Sequence, residues 1–145
     1  MDIDISMFGD KELQRKLNRL AGTKGKTIVN RAMRASAKRL RPLVAAAVPV
    51  DEGTLKAAMD KAKIRALTRK SSTGVGIALP TREELGISPD DKYYYPVLIE
   101  YGFTRKGTHY PARSFLRAVV DAHTPTEHAQ IGRDIGAGIE REAMK

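Results

Sequence analysis

The residues of this sequence whose types could do chemistry are three histidines, three pairs of adjacent carboxylates, one Gly-x-Gly and a group of tyrosines. His109, His123 and His128 offer no pair at the close helical spacing of a metal site, and no acid completes one, so they read as surface residues. Asp51-Glu52, Glu83-Glu84 and Asp90-Asp91 lie in polar, turn-like stretches. Neighbours in sequence do not converge on one substrate, and a general acid or base needs an enclosed carboxyl with a shifted pKa. Solvated turn residues are the better reading. Gly74-Val75-Gly76 lacks the third glycine and the following helix of a dinucleotide-binding loop. There is no phosphate-cradling loop and no nucleophile elbow. Tyr93, Tyr94, Tyr95, Tyr101 and Tyr110 could stack on bases, but tyrosines near turns more often pack half-buried with the hydroxyl in water. The expectation is no enzymatic activity, no cofactor and no metal.

Positive charge is the other chemical resource. The chain of 145 residues carries a net charge of +9, placed unevenly. Residues 1–75 hold 17 Lys/Arg against 7 Asp/Glu, whereas residues 76–145 hold 9 against 10. Arg31, Arg34, Lys38 and Arg41 fall on one helical face, and Lys63 and Arg65 on one strand face. They are candidates for contact with DNA phosphates or an acidic protein surface, and nothing beside them supplies sequence readout. A non-specific nucleic-acid-binding module built on the basic N-terminal half is therefore the alternative reading of function.

These residues need elements to position them. A hydrophobic content of 41% with 30% charged residues is globular, and the length suits one domain with its own core. There is no cysteine, which excludes disulfides and thiolate sites and fits assembly in a reducing cytoplasm. Met1 to Ser6 does not read as a signal peptide, and the apolar run Leu43 to Val50 is too short to span a bilayer, so no membrane partner is expected.

Periodicity predicts a short strand around Ile3 and Ile5, then an amphipathic helix over 11–20 on Leu13, Leu17 and Leu20. A long helix over 26–47 should bury Val29, Met33, Leu40, Leu43, Val44 and Ala47, filled in by Ala32 and Ala37, with a kink or break at Pro42. After Pro49, a turn capped by Asp51 or Thr54 should start a short helix at Leu55 to Met59. Alternation over 61–69, a turn at Lys70 to Gly74 and a return at Val75 to Leu79 read as a β-hairpin. Residues 80–92 read as a loop with one helical turn near Arg82 to Leu85. A short helix with Tyr94, Val97, Leu98 and Tyr101 on its stripe should end at Gly102. Residues 103–110 read as a loop, Pro111 as a helix start with Phe115, Leu116 and Val119 inward, and Thr124-Pro125 as an interruption before a last helix over 126–143.

Three segments carry a resemblance. Pro49-Val50-Asp51-Glu52-Gly53-Thr54-Leu55, Tyr95 to Gly102 with Glu100 and Gly102, and Pro111-Ala112-Arg113-Ser114-Phe115-Leu116-Arg117 resemble, in order and spacing, segments of phage tail-completion (neck) proteins. These belong to the superfamily that includes the lambda minor tail protein Z. The likeness covers roughly residues 3–122, leaving 123–145 as a C-terminal helical extension. Glu52 stands where the family often has Thr, and Ser114 replaces its usual second proline.

The resemblance implies a structural virion protein that completes the tail and joins it to the head, assembled in the host cytoplasm. Such proteins act as a ring, commonly of six subunits, around the DNA channel. Its partners would be the head-tail connector and the tail terminator or tail tube, with genomic DNA in the channel. The basic half could face DNA in the channel or an acidic ring; the sequence leaves both open, with the outer or subunit-facing role favoured. The fold class expected is α+β: a small antiparallel sheet against one long helix and several shorter ones. Physical sense can be made of the shared residues. Gly53 and Gly102 should permit positive φ or close backbone approach, Glu100 and Arg113 should meet by charge, and Phe115 and Leu116 should anchor the last helices.

Overall fold

Alanine and long straight-chain residues favour helix, and they fill α1 (Thr23–Ala47). This computed structural model describes Arg15, residues 18–49, Asp51, residues 53–69 and residues 72–145. The expected strand at 3–5 and most of the expected helix over 11–20 lie outside them. Pro42 does not break α1. It is exposed and close to the helix end, where the missing bond to the Lys38 carbonyl can be made by water. Pro49 does end the helix, because the residue before a proline is driven to extended backbone: Val48 has φ −60° and ψ 134°.

The buried stripe of α1 differs from the expected one. Ala32, Ser36, Ala37, Val44 and Ala45 are buried, while Val29 and Leu43 are 36% and 41% exposed and Ala47 is exposed as well. Helix axes approach closely where side chains are small, so the alanines take the contacts and the larger residues form a rim.

The fold is α+β. In α2 (Gly53–Asp60), Leu55 and Met59 lie one turn apart and are fully buried. β1 (Ile64–Arg69) and β2 (Ser72–Ile77) pair antiparallel, from Ile64 opposite Ile77 to Arg69 opposite Ser72. The turn is therefore shorter than 70–74: only residues 70–71 connect the strands, and Gly74 pairs with Leu67 inside the ladder. The helical turn expected near Arg82 to Leu85 is present, with the Leu85 N–H on the Thr81 carbonyl, and it buries Leu85. The Tyr94 hydroxyl donates to the Pro80 carbonyl and ties this loop to α3 (Tyr95–Tyr101).

In α3 the buried residues are Pro96, Ile99 and Glu100, so the expected stripe is turned round; Val97 and Tyr101 are 41% and 61% exposed. Apolar periodicity failed here because a carboxylate occupies the inward face. Residues 103–110 are not a loop but a hairpin of β3 (Phe103–Arg105) and β4 (Thr108–Tyr110). Its tip, Lys106-Gly107, holds φ of 49° and 79°, the paired left-handed geometry that suits a two-residue hairpin.

Pro111 does not open a helix. Residues 111–114 are extended and α4 (Arg117–Ala143) starts only after a bend at Phe115 and Leu116. It then runs unbroken through Thr124-Pro125, so the expected boundary between a core ending at 122 and an extension falls inside one helix. Pro125 is exposed, and water can serve the carbonyl it leaves unbonded.

One cluster of buried side chains joins the helices: Val44 of α1 and Val48 just past its end, Leu55 and Met59 of α2, Leu85, Ile99 of α3, and Phe115. Leu116 and Val119 pack at its edge. Beyond it, α4 lies along α1. Gly138 marks their close approach, since a Cβ there would sit 2.6 Å from Ile28 Cγ2. Polar groups fix the pairing further along. Ser36 Oγ donates to Glu127 Oε2 at 2.7 Å, and the Arg39 guanidinium reaches the same carboxylate at 2.7 Å and Asp134 at 3.8 Å. The Arg39 hydrogen bond holds the Glu127 carboxyl below its ordinary pKa.

An exposed proline inside a continuous helix costs up to about 3 kcal/mol relative to alanine. Pro125→Ala is expected to raise stability by roughly 1–3 kcal/mol in urea melts; a lower midpoint would show that the proline ring is needed where it is.

Candidate functional site

The three recognised segments meet at one corner. Gly102 makes the meeting possible. It ends α3 with φ 74°, and a Cβ on it would lie 2.7 Å from Ala112 N and 2.8 Å from the Tyr110 carbonyl oxygen. The chain leaving β4 thus passes directly over the end of α3, and the Arg113 N–H donates to the Ile99 carbonyl at 2.8 Å.

That crossing places Glu100 under the start of α4. The first turn of a helix has backbone N–H groups with no partner inside the helix, and α4 has no local side-chain cap. Glu100 supplies one from another helix. Its Oε2 accepts from Phe115 N at 2.9 Å and Leu116 N at 3.0 Å. Its Oε1 accepts from Arg117 N and Ser114 Oγ, each at 2.8 Å, and from Arg117 Nε at 3.1 Å. Arg117 also donates to the Glu100 carbonyl and lies over the Tyr101 ring, 4.3 Å from its centre. Burial alone would raise the Glu100 pKa; the Leu116 and Arg117 N–H groups, the Ser114 hydroxyl and the Phe115 N–H outweigh it and bring it to about 2.

Arg113 does not meet Glu100. Its guanidinium turns outward to Asp51 at 3.0 Å, in a pair whose side chains are 50% and 64% exposed. The reason is local: Ser114 and the helix N-terminus already fill the carboxylate. An exposed pair of this kind adds little stability, but it brings the turn after Pro49 to the same corner. Asp51 therefore serves as an ion-pair partner where sequence cast it as a cap. Leu55 and Phe115 are fully buried in the shared core, Leu116 packs at its edge, Pro49 is half-buried and Pro111 is exposed. Gly53 behaves differently from Gly102. It opens α2 with open space where a Cβ would be and no left-handed backbone.

Sequence reasoning missed the roles of Arg117 and Ser114. It also missed the Phe103–Tyr110 stack at 4.6 Å, which braces the hairpin beside the corner. The signal for Arg117 was present in the third segment, which ends on it, but a cap acting over 17 residues has no local pattern.

The basic residues form a second feature. Arg34 donates to the Ile64 carbonyl and Arg41 to the Ala62 carbonyl, each at 3.2 Å, so α1 is clasped to the start of β1. Arg31, Lys38, Lys63 and Arg65 are exposed. Beside Lys63 and Arg65 lies a cleft of about 590 Å³ between α2, the start of β1 and the segment that follows β2. Glu84 borders it, its carboxyl held below the ordinary range chiefly by the Thr81 N–H.

The histidines lie apart. His123 Nδ1 is 2.9 Å from the Val119 carbonyl, His109 Nδ1 is 3.4 Å from Thr104 Oγ1, and His128 is exposed. Among the described residues no three metal-binding side chains gather, and no helix is long and apolar enough to cross a membrane. No family model, curated protein or solved structure matches the chain.

The corner has a defined pH signature. Glu100 titrates at about 2 when folded against 4.5 as an ordinary carboxyl, so the native state binds fewer protons across that window. Its contribution, roughly 3 kcal/mol, should be complete above about pH 4.5 and lost as the pH falls towards 2. Glu100→Gln should cost roughly 2–4 kcal/mol at pH 7 and flatten the acid limb of stability against pH; an acid limb unchanged in the variant would refute the assignment. The two motif glycines should separate cleanly. Gly102→Ala should cost roughly 2–3 kcal/mol, whereas Gly53→Ala should cost nothing or stabilise by up to about 1 kcal/mol, both read from denaturant midpoints.

Proposed function

We propose that this chain is a structural subunit of the tailed-phage neck, completing the tail and joining it to the head within a ring of subunits around the DNA channel. One observation carries the reading. The three segments that resemble tail-completion proteins, at 49–55, 95–102 and 111–117, come together in one corner through Asp51–Arg113, Arg113 N–Ile99 O and Glu100 at the start of α4. Residues kept for catalysis need room for a substrate and a proton to move. Here the carboxylate is filled on both oxygens by donors of its own chain, an arrangement suited to holding shape.

A closed ring requires head-to-tail contacts between unlike surfaces. Tyr93, Val97, Tyr101 and Tyr110 are large, 41–66% exposed, and belong to or border α3 and the β3–β4 hairpin. Exposed tyrosines of this kind suit subunit contact, since aromatic residues are enriched in interfaces. The connector would lie on one side of the ring and the tail terminator or tail tube on the other.

Native mass spectrometry of the purified chain, alone and with the connector and tail-tube proteins of the phage that carries it, tests the proposal. A ring, commonly of six subunits, is expected in the presence of its neighbours. A persistent monomer that also fails to join purified heads or tails would overturn it.

A further inference from the structure

We infer that the face formed by α1 and the start of β1 binds the phosphodiester backbone of nucleic acid without reading its sequence. This goes beyond the neck reading and does not depend on it.

The helix α1 contains no Asp or Glu. Of its cations, only Arg39 forms an ion pair with another described residue, and Arg39 faces α4. Arg31, Arg34, Lys38 and Arg41 follow one another at spacings of three and four residues on a different side. They span about 15 Å of helix axis, and Lys63 and Arg65 are exposed at the start of the adjoining hairpin. Asp60 borders a cleft beside Pro42 near one end of this row, and two other acids close to it are engaged elsewhere. Asp134 shares a cleft with Arg31 but lies against Arg39, and Glu84, which Lys63 and Arg65 influence, is taken by the Thr81 N–H.

Two of the guanidinium groups are held in place. Lys63 gives its carbonyl to the Ala78 N–H on the β2 side, and the carbonyls before and after it, of Ala62 and Ile64, accept from Arg41 and Arg34. These carbonyls are two residues of extended chain apart, roughly 7 Å. Each arginine spends one N–H on its carbonyl and keeps its other donors for a ligand. The result is a pair of anchored guanidinium groups at a separation comparable to that of successive phosphates on one strand.

The same face argues against a protein partner. A protein interface gathers its energy from a desolvated apolar centre. The exposed large apolar residues of α1, Val29 and Leu43, lie roughly 120–160° around the helix from Arg31. The basic row itself offers charge and polar backbone alone, which is what phosphate binding uses.

Fluorescence anisotropy with a short labelled duplex DNA of mixed sequence, a single-stranded RNA and a polyglutamate peptide tests the inference on the full chain. Duplex binding should weaken linearly on a log–log plot between about 50 and 200 mM salt. Arg31→Gln/Lys38→Gln removes two exposed cations with no bonded partner among the described residues, so its melting temperature should match the parent. Its salt slope should be shallower by about two and its low-salt affinity roughly tenfold weaker. Lys106→Gln, at the tip of the β3–β4 hairpin, should bind as the parent does. Tighter binding of duplex than of single strand would identify double-stranded backbone as the ligand, and the reverse a single strand; either supports the inference. Absence of binding at 50 mM salt, an unchanged slope in the double variant, or equal binding of polyglutamate would overturn it. A chain that forms the neck ring but fails these measurements would lose this inference and keep the other.

Discussion

A carboxylate enclosed by protein is tolerated only where donors replace the water it gave up. Glu100 meets that condition with the one group of donors a folded chain always leaves spare, the N-terminal N–H groups of a helix. The exchange is mutual: the charge satisfies α4, and the positive end of α4's dipole favours the charge. Much of the molecule follows from it. Gly102 must be glycine so that the returning strand can cross the end of α3. Phe115 is driven into the core because its own N–H is held by the carboxylate. The direction in which α4 leaves the corner, and so its course along α1, is set at its first turn.

Elements with local causes were legible in the sequence, and those with distant causes were not. The α+β class, the long helix ending before Pro49, the hairpin near residue 70 and the end of α3 at Gly102 all come from propensity, proline, alternation and glycine acting within a few residues. The misplaced features share another origin. Pro42 and Pro125 look like breaks, yet neither breaks its helix, because each lies on an exposed surface. Val29 and Leu43 look like core, yet alanines take the contacts because two elements press on α1 closely. Val97 and Tyr101 look inward because nothing local shows that Glu100 is the residue that will be buried.

The site was legible in part for the same reason. Glu100 and Arg113 do reach one corner, but the pairing expected between them is replaced by Arg113 with Asp51. Charge sign alone suggests Glu100 with Arg113. Backbone donors compete better than an exposed guanidinium, since they lie in place before the side chains choose. Arg113 is then left for Asp51, and Arg117, one turn further on, closes over the carboxylate and the Tyr101 ring. The charge asymmetry gains meaning in the same way. Part of the excess in α1 is structural: Arg39 is spent on Glu127, while Arg34 and Arg41 each give one donor to a backbone carbonyl and keep the others.

The pairing of α1 with α4 has a consequence for synthesis. The contact from Ser36 to Glu127 joins the first long helix of the described chain to its last. Between them lie both hairpins, α2 and α3, whose partners are near in sequence and can form as the chain emerges. Until α4 is complete, the side of α1 that carries Ala32, Ala35 and Ser36 lacks the helix that covers it. The packed α1–α4 pair therefore exists only once α4 itself has been made. A chain cut short before α4 would leave that side of α1 open to water.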